Sequence, residues 1–101
     1  MNRLEHLLWV VAEECNEVSQ RASKMARFGV YNTQEGHDKN NMERFLQEYA
    51  DLLASVEMVS EELGYNISTA DIIKAVAAKR AKVEKFLKYS EECGTLNTKD
   101  K

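Results

Sequence analysis

Apolar side chains recur near the start of the chain at alternating steps of four and three: Leu4, Leu8, Val11, Cys15, Val18, Ala22 and Met25. That spacing stays on one face of a 3.6-residue repeat and predicts an amphipathic helix running to about Phe28, with Gly29 as its stop. A second stripe, Phe45, Tyr49, Leu52, Val56, Val59 and Leu63, is followed by Gly64 and predicts a second helix. Asn40 with Glu43 three residues on has the spacing of a capping box and marks where that helix begins. Between the two helices, positions 29–41 are polar and include Asn32, Gly36, Asn40 and Asn41. A loop of about a dozen residues is long enough to be functional, and this one is a candidate lid.

The third helix has the clearest start. Ser68 and Asp71 form a capping pair, and Ile67 and Ile72 occupy the positions of a hydrophobic staple, so the helix should begin near Thr69. Ile73, Val76, Val83, Phe86 and Leu87 carry it onward until Gly94 ends it before a polar tail, 95–101, expected to be disordered. With no strand pattern, the reading is all-α: three main helices in a single domain over 1–94.

Composition supports this picture. The chain has no proline and only four glycines, which suits long helices. At 101 residues it is small enough that a partner subunit would add substantially to the surface it can bury. A net charge of −3 exerts no general pull toward nucleic acid or membrane. The one early apolar run, Leu7 to Ala12, is cut off by Glu13 and Glu14, too short for a signal or a membrane span, so a cytoplasmic location is expected. Two cysteines, Cys15 and Cys93, are too few for a disulfide framework and read as free thiols, Cys15 packing within the first stripe.

The candidate chemistry lies in two acidic pairs. Glu14 and Glu17 stand three apart on the first helix, and Glu48 and Asp51 repeat that spacing on the second. Each pair falls on one shoulder of its apolar stripe, so packing the stripes together would let four carboxylates converge. Such a group repels itself unless it is protonated or holds a cation. Magnesium suits it, because it takes carboxylate oxygens in octahedral geometry while leaving sites for water or phosphate; manganese could substitute. Solvated surface acids would have the same spacing, but only Glu17 has a base four residues on, Arg21.

Between Lys74 and Lys88 the third helix carries Lys74, Lys79, Arg80, Lys82, Lys85 and Lys88 against Glu84 alone. This is either a solvated basic face or a surface on which Lys79 and Lys82, three apart, meet a triphosphate. His6 and Trp9, three apart ahead of the acids, could hydrogen-bond and stack on a base, or could be a surface histidine beside a partly buried aromatic. No Glu-x-x-His pair points to a di-iron bundle, and there is neither a Gly-rich phosphate loop nor a Gly-x-Ser-x-Gly turn.

Glu13-Glu14-Cys15-Asn16-Glu17 followed by Glu48-Tyr49-Ala50-Asp51-Leu52-Leu53 resembles the two-part Glu-Glu-x-x-Glu and Glu-x-x-Asp signature of the MazG-like, all-α nucleoside triphosphate pyrophosphohydrolases. The likeness runs from about Leu4 to Phe86. It implies a four-helix-bundle-like core completed by dimerisation, as a homodimer or a dimer of dimers. It also implies magnesium held at Glu14, Glu17, Glu48 and Asp51, and cleavage of a nucleotide between its α- and β-phosphates. The stretch from Val18 to Gln47 is longer than is usual in that family, and Lys82 or Val83 stands where relatives often have asparagine near a lysine. A non-catalytic helical interaction module and a phosphoribosyl-ATP pyrophosphohydrolase are the alternative readings.

Overall fold

The computed structural model describes residues 1–97 and contains, among them, three helices and no strand: α1 (Arg3–Phe28), α2 (Asn41–Leu63) and α3 (Thr69–Glu92). The chain divides into two compact units, Met1–Asn66 and Ile67–Lys101.

The first unit is a helical hairpin whose ends are set by local hydrogen bonds. Asn2 caps α1, its side chain accepting from the Glu5 amide at 2.8 Å. Gly29 ends the helix at φ 105°, a conformation that L side chains avoid, and its N–H reaches the Met25 carbonyl. The predicted capping box is present at α2: the Asn40 side chain accepts from the Glu43 amide at 2.8 Å, and the Glu43 carboxylate accepts from the Asn40 amide at 3.1 Å. At the far end Gly64 is left-handed, and the Tyr65 amide donates back to Ser60, a Schellman-type closure. Arg3 at the start of α1 pairs with Glu62 at the end of α2 at 2.9 Å, so the helices run antiparallel.

The loop between them is tied down rather than free-standing. The Met42 amide donates to the Val30 carbonyl and the Asn41 amide to the Asn32 carbonyl, both at 2.9 Å. The Asn41 side chain, 5% exposed, donates to the Gly29 carbonyl, and Arg44 donates to the Gln34 side chain. A lid that swings as a whole would have to break this lacing.

The packed face of the hairpin is rotated from the predicted stripe. On α1 the buried residues are Leu7 and Arg21, flanked by half-buried Leu4, Val10, Val11, Glu14, Val18 and Met25. Leu8, Cys15 and Ala22 are exposed, which corrects the expectation that Cys15 packs in the core. On α2 the inward line runs through Asn41, Phe45, Glu48, Asp51, Leu52, Ser55 and Val59, while Tyr49, Leu53, Val56 and Leu63 stay exposed. Both helices thus bury the carboxylate-bearing shoulder against each other and leave the other half of each apolar stripe uncovered.

The second unit is α3 with its cap. Ser68 accepts from the Asp71 amide at 3.2 Å, and the helix begins at Thr69 as its sequence predicts. No residue of α3 is buried; Ile72, Ile73, Val76, Val83, Phe86 and Leu87 are all exposed. Beyond it, Thr95 and Leu96 fold back, their amides donating to the Ser90 carbonyl. The remainder of the predicted tail, 98–101, lies outside the described residues.

Candidate metal centre

The antiparallel register brings the middle of α1 opposite the middle of α2, and three of the four predicted carboxylates meet there. Glu14, Glu48 and Asp51 each offer an oxygen, and these oxygens lie within 4.8 Å of one another. All three residues are half-buried. Glu17, one turn along α1, is exposed and stands outside this group. Its expected pairing with Arg21 does not form: among the described residues the one ion pair is Arg3–Glu62, and Arg21 turns into the helix interface instead.

Two side-chain atoms in this interface have no hydrogen-bond partner, Glu14 Oε2 and Arg21 Nη1. Buried polar atoms are nearly always paired, because leaving one without a partner forfeits its hydration for nothing. Glu14 also carries the electrostatic signature of the cluster. Burial pushes its carboxyl above the ordinary glutamate range, and the charges of Asp51, Glu48, Glu17 and Glu13 push it further the same way. Asp51 is oriented by its own helix, accepting from the Gln47 side chain at 3.0 Å.

The donor set fits a hard divalent cation. Around magnesium, with bonds of about 2.0–2.1 Å, ligand oxygens stand about 2.9 Å apart when adjacent and about 4.2 Å when opposite. The three oxygens lie within 4.8 Å of one another, close to the wider of these separations. The shielded, donorless Oε2 of Glu14 is the kind of atom a cation would satisfy.

The other predicted contacts are distributed over both units. His6 and Trp9 border one shallow recess of about 270 Å³ with Met1, Val10 and Glu13, so they do come together, with the Trp9 ring mostly exposed. Lys79 and Lys82 are exposed on α3, in the second unit. Two participants went unpredicted. Gln47 is visible in the sequence as a Gln four residues before an Asp, a helical hydrogen-bonding pair. Arg21 gave no such signal, because a basic residue on an amphipathic helix reads as solvated.

Compared with protein-family models, curated proteins and solved structures, the chain matches none of them.

Proposed function

We propose that this chain is a magnesium-dependent nucleotide pyrophosphohydrolase that cleaves a ribo- or deoxyribonucleoside triphosphate between the α- and β-phosphates. The products would be the monophosphate and pyrophosphate, and the working form a homodimer or dimer of dimers. The observation that carries this reading is the convergence of Glu14, Glu48 and Asp51, together with a shielded Glu14 oxygen that has no donor of its own. Three carboxylates drawn together without a base among them suit a site whose countercharge arrives with its ligands.

In this reading Glu14, Glu48 and Asp51 hold the cation and the exposed Glu17 joins them from one turn away. Bound there, the cation supplies neutralisation of phosphate charge and activation of a water for in-line attack. Gln47 keeps Asp51 turned toward the cluster. Arg21, two turns along α1 from Glu14 and buried with an unpartnered guanidinium nitrogen, would offer positive charge to a more distant phosphate oxygen. Lys79 and Lys82, exposed on α3 in the second unit, stay phosphate-binding candidates on their sequence spacing alone. The uncovered apolar halves of α1 and α2 supply the surface for a partner copy.

Pyrophosphate release from a nucleotide panel, with and without Mg²⁺, tests the proposal. Glu48→Gln and Glu17→Gln should each abolish turnover while the helical circular dichroism is kept. A folded wild-type protein inactive on every nucleotide, or a Glu48→Gln variant with full activity, overturns it. The same exposed apolar surface also favours a non-catalytic interaction module. In that case Mg²⁺ would leave the melting temperature unchanged, whereas a site that binds the folded state raises it.

A further inference from the structure

Beyond the carboxylates, where α1 gives way to the loop and α2 begins, the first unit holds a cavity of about 450 Å³ bordered by Lys24, Phe28, Asn32, Gln34 and Asn41, with Thr33 and Glu35 from the same loop. Its volume falls in the range of small-molecule sites. The tied loop forms one of its walls, and two amides on that wall are already oriented. Asn41 spends its N–H on the Gly29 carbonyl, which leaves the side-chain oxygen as an acceptor. Gln34 spends its oxygen on Arg44, which leaves the NH₂ as a donor. Phe28 adds an aromatic ring held from above by Arg27, whose guanidinium carbon lies 4.8 Å from the ring centre.

A flat aromatic surface beside two amides whose oxygen and nitrogen ends are already set suits a nucleobase, which stacks through its face and hydrogen-bonds through its edge. The position along the helices agrees. At 1.5 Å per residue, Asn41 lies about 10 Å along α2 from Glu48, and Lys24 about 15 Å along α1 from Glu14. Buried Arg21 falls between, so α1 presents carboxylate, guanidinium, ammonium and aromatic ring in that order on one side: Glu14, Arg21, Lys24, Phe28. A nucleotide has the matching order of metal-bound phosphates, sugar and base.

We propose that this cavity receives the base of a free nucleotide whose phosphates lie at Glu14, Glu48 and Asp51, an assignment that rests on the hydrolase reading for its phosphate end but not for its base end. Phe28 stacks on the base, and Asn41 and Gln34 read its edge. Lys24, one turn before Phe28 on α1, offers its ammonium to the sugar.

The experiment separates the two ends of the ligand. Binding of a nucleoside monophosphate panel in EDTA, and of inorganic tripolyphosphate in Mg²⁺, is measured by equilibrium dialysis for wild type, Phe28→Ala and Gln34→Ala. Phe28 is more than half exposed, so its truncation leaves the fold in place. Phe28→Ala should weaken the tightest monophosphate by about tenfold, as loss of one base-stacking contact does, and Gln34→Ala should weaken some bases more than others, with tripolyphosphate binding unchanged in both. Monophosphate binding that depends on Phe28 in a protein with no hydrolase activity sinks the hydrolase and keeps the cavity. Turnover whose kcat/KM is untouched by Phe28→Ala for every base keeps the hydrolase and sinks the cavity. Loss of monophosphate binding in Trp9→Ala rather than in Phe28→Ala moves the base to the His6 recess and overturns the proposal, as does a single-stranded oligonucleotide that binds more tightly than every mononucleotide.

Discussion

Glu14 has a side chain made for a helix surface in a position that faces another helix. Its raised affinity for a proton follows from burial and from four neighbouring acids, and the consequence for stability has a definite sign. In the metal-free protein the folded state keeps the Glu14 proton to higher pH than the unfolded state does. Between those two titrations the folded state binds more protons, so stability falls as pH rises through the window and the contribution is gone above it. Glu14→Gln removes that loss. In EDTA its melting temperature should fall less than that of wild type as pH rises from the ordinary glutamate titration upward, and should exceed it once Glu14 is ionised in the folded state. In saturating Mg²⁺ the order should reverse, since the variant gives up a ligand. Parallel wild-type and variant melting curves across pH in EDTA would show that Glu14 is solvated and plays no part in a site.

At the scale of the elements, the helix boundaries were legible because each rests on chemistry within a few residues: Asn40 with Glu43, Ser68 with Asp71, Gly29 and Gly64 at the stops. Asn40→Ala tests how much that local chemistry contributes. It removes the acceptor for the Glu43 amide, and loss of such a cap costs about 1 kcal/mol. Urea unfolding should show that decrease, and a change within error would mean the loop's other ties hold the start of α2 without it. The packed faces were less legible than the boundaries. Apolar periodicity sets Glu14, Glu48 and Asp51 on the shoulders of the stripes, where packing brings them together, but it reads Arg21 as outward and Leu8, Cys15 and Ala22 as inward, and the structure has these the other way round. Periodicity fixes which residues share a face but not how far a helix rotates about its axis, because the compensation for a buried polar shoulder comes from another chain segment or from a ligand. The cavity was invisible for a related reason: Lys24 and Phe28 stand one turn apart on α1, but Gln34 and Asn41 are brought to them by the loop's hydrogen bonds, which no spacing shows.

At the scale of the whole molecule, burial is the quantity that one chain leaves incomplete. Leu7 is the one buried hydrophobic residue among those described, whereas Trp9, Tyr49, Leu53, Leu63, Ile73 and Phe86 are all exposed. Apolar surface contributes about 25 cal/mol per Å² when removed from water, and a chain this small has little other source of stability to offset the entropy lost on folding. The exposed side chains also recur at helical spacing, Tyr49, Leu53 and Val56 on α2 and Ile72, Ile73 and Val76 on α3, as interface stripes do. A second copy covering them would complete the core, and folding would then be linked to association. Two results should follow. Sedimentation at micromolar concentration should give twice or four times the mass of one chain, and the melting temperature should climb with protein concentration. Leu53→Glu, at a site 46% exposed in the single chain and so free of any fold-breaking clash there, should shift the protein toward the monomer and lower its melting temperature by several degrees. A wild-type chain that sediments as a monomer, with a melting temperature independent of concentration and unaffected by Leu53→Glu, would show that these faces stay in water and that the working unit is one chain.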